Sequence, residues 1–429
     1  MAQQGLTILL IGNGGREHAL AWKLSVSLQV EHIYCVPGNG GTAGVDKATN
    51  ISTISQDDFA ALANFAKEKG VNLLVPGPEA PLVAGIVDYF QQNVEGVECF
   101  GPSASAARME GSKTFSKDFM QRHNIPTAAY RNFNNYDEAR EYLDSVDHDV
   151  VIKASGLAAG KGVIVPQSRQ EAQDALREIM LDKEFGAAGD EVVIEEFLEG
   201  DELSILTFSD GKTVRSLPPA QDHKRIYDDD QGPNTGGMGT YAPTKIAPKE
   251  VIDQIDKTVL QPTIDGMREE GFPHVGVLFT GLMMTKSGPK VLEYNVRFGD
   301  PETQSLLPLL ESDLADLMLA CTQGRLSEVE LYISTKSAAT VVVAAGGYPG
   351  VYAKGIEMKL DPVPEGIMLF HAGTALVGNS LKTAGGRVIA STAVGDTLEE
   401  AVKKAYEGVG AIHFDKMQYR KDIAARALR

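Results

Sequence analysis

Residues 150–166 read VVIKASGLAAGKGVIVP, and the fold turns on this stretch. Two β-branched runs, residues 150–152 and 163–165, flank a loop that contains Gly156, Gly160 and Gly162. Strand, glycine loop, strand predicts a hairpin whose tip is free to close on a ligand, because glycine accepts positive φ and carries no side chain. Backbone N–H groups in such a loop can face phosphate oxygens. Lys153 ends the first strand and Lys161 lies in the loop, so both add fixed positive charge. The same pattern also suits a flexible hairpin with lysines on its wet face. A Walker loop is excluded: no Ser or Thr follows Gly160-Lys161, and a strand comes next in place of a helix.

The 429 residues suffice for several domains with large cores. A net charge of −18 disfavours nonspecific contact with nucleic acid or anionic membranes. Anionic ligands must then be held by local Lys, Arg and backbone N–H groups. Cys35, Cys99 and Cys321 are an odd, scattered set without CxxC, which fits a reducing cytoplasm. The opening MAQQG lacks basic residues, and no apolar run approaches a membrane span. The expectation is a cytoplasmic protein without a targeting signal.

Upstream of the hairpin, residues 6–11 form an apolar run followed by GNGGREHAL (residues 12–20) and a helical pattern. Strand, glycine turn and helix place an anion site at a helix N-terminus. A dinucleotide fingerprint needs its third glycine at position 17, where this chain has Glu17, and the ribose-binding acid after the second strand is missing. NAD is therefore disfavoured, while a smaller phosphate, or a turn that serves only packing, fits. PGNGGTAG (residues 37–44) and GPEAPLVAGIVD (residues 77–88) also follow strands. In a parallel sheet these loops gather at one edge and make a small-ligand cleft. Arg16 and Glu17 are candidates to contact the ligand there, or are solvated residues of a first helical turn.

Downstream, EGSKTFSKDFM (residues 110–120) predicts a helix with Phe115, Phe119 and Met120 buried and Lys113 and Lys117 on a second face. EVVIEEFLEGDELSI (residues 191–205) predicts a strand to Ile194, a turn at Gly200 and another strand. The segment PAQDHKRIYDDDQGPNTGGMGTY (residues 219–241) joins Asp222, His223, Lys224 and Arg225 to Gly, Pro and Asn residues that predict no regular element. Long irregular segments rich in charge are more often functional than structural. His223 reads as a hydrogen-bonding residue and not a metal ligand. In VLEYNVRFGDPETQ (residues 291–304), strand alternation puts Glu293, Asn295 and Arg297 on one face and Leu292, Tyr294 and Val296 on the other. A carboxylate and an amide oxygen two residues apart suit Mg²⁺ shared with phosphates. Arg297 then lies where it can grip a carboxylate or a phosphoryl group.

In this order the motifs resemble the ATP-grasp ligases, and within them the glycinamide ribonucleotide synthetase family. The resemblance runs essentially end to end, through GNGGREHAL, PGNGGTAG, GPEAPLVAGIVD, EGSKTFSKDFM, IKASGLAAGKGV, the DHKR…GPNTGGMG segment and RFGDPETQ. It implies an α/β protein with a Rossmann-like N-terminal (pre-ATP-grasp) domain over residues 1–107. A central ATP-grasp fold follows over 108–328, with a mobile lid at about 126–196, and a small C-terminal α/β domain over 329–429. It further implies ATP held by Lys113, Lys153, Gly156, Gly160, Lys161 and Gly162, with adenine at Glu195, Glu196, Phe197 and Leu198 and ribose at Glu202. Mg²⁺ or Mn²⁺ would sit on Glu293 and Asn295. 5-Phosphoribosylamine and glycine would meet Gly14, Gly15, Arg16, Glu17, Asn39, Gly40, Pro78, Glu79, Asp222, Lys224 and Arg297, with the substrate phosphate on the residue 12–15 turn. Arg297, Lys153 and Asp222 are the expected catalytic residues.

Many ATP-grasp members carry a further acidic ligand on the preceding strand, but here it reads GLMMT (residues 281–285). A second metal would need Asp222 or Asp300, or water and phosphate ligands. His371, at a predicted strand end, is a candidate substrate contact or a structural histidine. With the last residues YRKDIAARALR the expectation is the ligase alone, as a monomer or weak dimer, acting on small molecules and not on nucleic acid or membrane. Two other readings compete: a carboxylase acting on bicarbonate, which lacks a biotin-carrier segment, and a silent nucleotide sensor, which has no need of Glu293, Asn295 and Arg297 together.

Overall fold

The computed structural model describes residues 5–158 and 160–429. Residues 1–4 of the opening segment and Ala159 of the glycine loop lie outside the described residues.

The N-terminal region builds a five-stranded parallel sheet in the order Ala48–Asn50, Val30–Pro37, Leu6–Gly12, Leu73–Pro76, Glu98–Cys99. Alternation sends Ile8 and Leu10 into one apolar cluster and Leu9 and Ile11 into another, as a sheet covered on both faces requires. The chain leaves the central strand toward one edge and returns to its other side, so the switch point lies between Leu6–Gly12 and Leu73–Pro76. A ligand crevice forms at such a point, outside the carboxyl ends of the strands.

Two antiparallel sheets follow. The first has the order Tyr130–Phe133, Val192–Glu196, Val150–Ala154, Val163–Ile164, so the predicted glycine hairpin exists, with Ile152 opposite Ile164 and Lys153 opposite Val163. The second sheet has the order Val214–Ser216, Asp201–Asp210, Val275–Thr285, Gly288–Asn295. This pair of sheets is the ATP-grasp architecture. The helical pattern of residues 104–122 is split in two at Ser112, which caps Lys113–Arg122 by accepting from Phe115 N at 3.2 Å.

Two expectations need correction. Residues 219–241 are not wholly irregular: Gln221–Asp222 and Gly239–Ala242 pair into a five-stranded sheet with Ser337–Ala344, Arg387–Gly395 and Ile367–His371. Arg225–Tyr227 and Gln231–Asn234 form a separate hairpin. Gly239–Ala242 joins the sheet through Ser337–Ala344, which lies far along the chain, so local composition could not report it. Leu292 is likewise not on the apolar face. The register slips so that Gly281 faces Glu293 and Leu282 faces Val291, leaving Leu292 as a bulged, half-exposed residue.

No helix among the described residues is long and apolar enough to cross a membrane. The three cysteines are free and buried.

Candidate active site

The bulge at Leu292 has a chemical consequence, since its carbonyl accepts from Lys153 Nζ at 3.2 Å. The same ammonium lies 3.0 Å from Glu195 Oε1, and Lys117 Nζ lies 3.3 Å from Glu195 Oε2. Lys117 also donates to Thr127 Oγ1 at 2.6 Å. Glu195 is thus a buried carboxylate clamped between two buried lysines. Burial, opposed by Glu195 and reinforced by Lys153, lowers the Lys117 pKa to about 8. Lys113 donates to Gly156 O at 3.2 Å, and burial lowers its pKa against the pull of Glu293.

These cations converge on Glu293. Burial disfavours its charge, but Lys224, Lys153, Lys113 and Arg297 outweigh that and hold its carboxyl below the usual range. Asn295 Oδ1 accepts from Arg297 Nη2 at 3.2 Å. Glu293 and Asn295 are hard oxygen donors on one strand, so they fit a divalent cation. Among the described residues no group of three His, Cys, Asp or Glu could hold a metal unaided. Phosphate and water must supply the remaining ligands, as is usual for Mg²⁺. Asp300, one suggested extra ligand, is engaged elsewhere: it accepts from Gln304 Nε2 at 2.9 Å and lies 3.7 Å from Arg387 Nη2.

Arg297 links this region to the N-terminal sheet. Its guanidinium lies 2.9 Å from Glu110 Oε1 and 3.3 Å from Glu79 Oε2. Burial opposes the charge, and Glu110 and Glu79 together overcome it and raise the pKa. Arg16 Nη1 donates to Phe298 O at 3.2 Å, so the first helix touches the same segment.

At the crevice the structure separates residues that the sequence had grouped. Glu17 accepts from Gly14 N at 2.6 Å and from Arg16 Nε at 2.5 Å. Asn39 donates to Asn13 O at 2.9 Å and His371 O at 2.8 Å, and accepts from Gly41 N and Thr42 N. Both side chains are internal staples. The turn of residues 12–15 is also partly filled by protein anions, because Arg16 N lies 3.4 Å from Asp300 Oδ2. Gly40 donates to Thr374 Oγ1 at 3.1 Å, while Pro78 caps the short helix carrying Glu79. His371 is buried against His18, with its N–H donating to His18 Nδ1 at 2.8 Å.

Around the predicted adenine site, Glu196 N and Phe197 N are already bonded to Ala129 O and Asp149 O, each at 2.9 Å. Glu196 also accepts from Ala129 N and Lys290 Nζ, each at 3.0 Å. Phe197 is exposed and Leu198 is buried. Glu202 pairs with Lys224 Nζ at 2.8 Å, and this partner raises the Lys224 pKa against burial. Asp222 accepts from His223 N at 2.7 Å. Burial, with Glu302 as a like-charged neighbour, pushes its pKa well up, and burial raises Glu302 too. In the glycine loop, Gly156 N donates to Ala188 O at 3.0 Å and Lys161 N to Ala158 O at 2.9 Å; Gly160 and Lys161 are exposed and Gly162 is buried.

Lys117, Glu110, Glu302 and Arg387 join the site without having been assigned to it. Lys117 had a signal, the helix face it shares with Lys113. Glu110 and Glu302 are single charges within motifs and Arg387 lies outside them, and nothing in their spacing reveals their partners.

Comparison with known proteins places this geometry in a lineage. The N, ATP-grasp (A) and C domains of phosphoribosylglycinamide synthetase match residues 6–110, 111–303 and 338–426. A phosphoribosylamine–glycine ligase of Vibrio cholerae is 48% identical, with 99% of both chains covered. A bifunctional purine biosynthetic protein of Schizosaccharomyces pombe is 60% identical over 98% of this chain but 53% of its own length. This chain spans about half the length of that relative and of several others. The crystal structure of a phosphoribosylamine–glycine ligase of Thermotoga maritima superposes with a TM-score of 0.84 at 35% identity, covering 98% of this chain and 100% of that one. The chain belongs to the phosphoribosylglycinamide synthetase family.

Proposed function

We propose that this chain joins glycine to 5-phosphoribosylamine with ATP, giving glycinamide ribonucleotide, ADP and phosphate. The observation that carries the reading is the convergence of Lys113, Lys153, Lys224 and Arg297 on Glu293, beside a glycine hairpin and across from the parallel-sheet crevice. In the first step a glycine carboxylate oxygen attacks the γ-phosphorus, the bond to the β-phosphate oxygen breaks, and ADP leaves. In the second the amine nitrogen attacks the carbonyl carbon of glycyl phosphate, and phosphate departs. Lys113 and Lys153 orient the polyphosphate and Arg297 the carboxylate, so positioning and charge neutralisation do the catalysis.

Glu293 and Asn295 would hold Mg²⁺ or Mn²⁺, which when bound neutralises charge on the phosphate oxygens. Asp222, a buried carboxyl beside Glu302, would in its ionised form take the proton that the amine loses. Adenine would lie by Glu195 to Leu198, with Glu202 near the ribose. The phosphoribosyl group would lie in the crevice by Arg16 and Glu79, where the backbone of Gly14, Gly15 and Gly40 and the ring of Pro78 shape its walls. The hairpin loop, with Gly156, Gly160, Lys161 and Gly162, would close over the phosphates and keep water from the acyl phosphate.

A coupled assay of ADP release tests this. Release should require glycine and phosphoribosylamine together, and Glu293→Ala should abolish it in a folded protein. ADP release driven by bicarbonate, with glycine and the amine absent, would overturn the reading.

A further inference from the structure

Arg420 is among the largest fully buried side chains, with 1% of its surface exposed, and it lies in the last strand-free segment of the chain. A buried guanidinium persists only with its donors satisfied. Its Nε and Nη2 donate to Asp422 Oδ1 and Oδ2, each at 2.7 Å, in a bidentate fork. Its Nη1 reaches away from the segment, to Arg225 O at 3.1 Å and Asp230 Oδ1 at 2.9 Å. Asp422 Oδ2 also accepts from Asp229 N at 2.9 Å, and Lys421 N donates to Asp228 Oδ1 at 2.7 Å. Four successive bonds therefore tie residues 420–422 to residues 225–230.

The tie continues to the residues that carry charge into the site. His223 Nδ1 faces Gly239 O at 2.9 Å and its Nε2 faces Ala424 N at 3.1 Å. A carbonyl requires a donor and an N–H requires an acceptor, so the ring is neutral with its proton on Nδ1. His223 stands between Asp222 and Lys224, and thus pins both to residue 424.

Asp222 is also held by the pairing of Gln221–Asp222 with Gly239–Ala242, and Lys224 by Glu202 Oε2 at 2.8 Å and by Thr235 N, which donates to its carbonyl at 2.8 Å; the hairpin beyond them has little apolar packing. The hairpin Arg225–Tyr227/Gln231–Asn234 contributes only Ile226 to a small apolar cluster with Met238 and Ala344. Its turn places Asp229 and Asp230 at φ 56° and 53°, a left-handed conformation unfavourable for a residue with a Cβ. A cavity of about 320 Å³ runs between Asp222 and His223 on one side and Ala424 and Arg426 on the other. Of these ties, the His223–Ala424 hydrogen bond borders that cavity.

We infer that Arg420, with Asp422, is a positioning residue for the reaction: it holds the 222–234 segment so that Asp222 and Lys224 face the amine substrate. The inference rests on the proposed ligase reading for the roles of Asp222 and Lys224.

The test compares Arg420→Gln, Arg420→Lys and Asp422→Asn with the parent by hydrogen exchange and steady-state kinetics. Amides of residues 225–234 should exchange at least about tenfold faster in Arg420→Gln, while the central strand Val275–Thr285 keeps its protection. The kcat should fall about tenfold or more, and the KM for phosphoribosylamine should rise by more than that for ATP, since Lys224 reaches the nucleotide end only through its pair with Glu202. Arg420→Lys, which keeps the charge and loses the fork, should recover part of the kcat. Asp422→Asn should reproduce the pattern, and it serves if Arg420→Gln fails to fold. Parent-like exchange in residues 225–234 would overturn the clamp. So would equal loss of protection in Val275–Thr285, or a loosened segment with parent kcat. Lys224→Ala separates the two readings: parent activity in that variant, beside a loosened segment in Arg420→Gln, refutes the substrate role of the segment and leaves the clamp standing.

Discussion

The turn of residues 12–15 and the loop of residues 156–162 each hold three glycines after a strand, and the structure uses them in opposite ways. In the first, the protein's own carboxylates take the N–H groups: Glu17 holds Gly14 N and Asp300 lies by Arg16 N. Glycine is needed there to make room for Glu17. A Cβ on Gly77 would overlap Glu17 Oε1, and one on Gly12 would come within 2.5 Å of Glu17 Cδ. In the second, the ends are packed and only the tip is open: a Cβ on Gly156 would come within 2.7 Å of Ala188 Cα and one on Gly162 within 2.6 Å of Ala158 Cβ. A Cβ on Gly160 would meet no atom within 4 Å, and Lys161 beside it is exposed. One loop is a packed, internally bonded corner throughout; the other is packed at Gly156 and Gly162 and open at Gly160, with Lys113 and Lys153 beside its base. Glycine content alone does not separate a steric requirement from a ligand-ready loop.

The largest expected effect falls on the second region. Lys153→Met should reduce ATP turnover about 100- to 1000-fold, because it removes a preorganised cation from the phosphate site. It also leaves Glu195 with Lys117 alone, so the measurement pairs kcat with thermal unfolding. Turnover within about threefold of the parent would mean that the open loop is not the catalytic one.

Next comes the packed corner. Gly77→Val should destabilise the protein by about 3 kcal/mol or more, since a buried backbone or Glu17 must move to admit the side chain. Urea unfolding measures it, and a loss below about 1 kcal/mol would show that Glu17 can relocate cheaply.

The contrast explains what the sequence made legible. The strand before each loop, the helix Arg169–Met180 and the strand Val275–Thr285 follow from periodicity, which is local. Lys153 stood out as a charge at the glycine hairpin and Glu293, Asn295 and Arg297 as polar groups on one strand face, while the expected ATP role of Lys113 came only with the family resemblance. Glu17 stood out beside the glycine turn and Asn39 only through the family resemblance; Glu17 holds Gly14 N and Arg16 Nε, and Asn39 holds Gly41 N and His371 O, contacts that residue spacing does not report. The Leu292 bulge was invisible because alternation cannot report one extra residue in a pairing. Arg420 and Glu110 carry no periodic signal, and their roles appear only when distant segments meet.

A third effect should distinguish the regions by pH. His18 and His371 lie against the packed corner, and burial lowers their pKa values to about 3 and about 4; for His18 its neighbour His371 adds to the effect. In the unfolded chain both titrate near 6.5. Between pH 6.5 and about 4 the unfolded state therefore binds more protons than the native state, and stability falls as pH falls through that window. Each histidine should cost about 1 kcal/mol between pH 7 and 5.5. In His371→Asn, which retains a polar partner for Thr374 Oγ1 but does not titrate, the loss over that interval should be smaller by about 1 kcal/mol. An unchanged interval in urea unfolding would mean that the corner does not sense acid.

The smallest effect is expected at Gly160, and its smallness is informative. The residue sits at φ +77°, a region where an alanine pays about 1–2 kcal/mol. Alanine also restricts the unfolded chain, which returns about 0.4–1 kcal/mol. With no neighbour for the added methyl to strike, Gly160→Ala should cost about 1 kcal/mol or less in urea unfolding. If the loop keeps its positive φ when ATP binds, the strain is present in free and bound states alike and cancels from affinity. The KM for ATP should then stay within about twofold of the parent. A tighter KM would show that closure carries residue 160 out of the left-handed region. A stability loss as large as that of Gly77→Val would erase the distinction between the two loops, because it would require contacts that the open tip does not have.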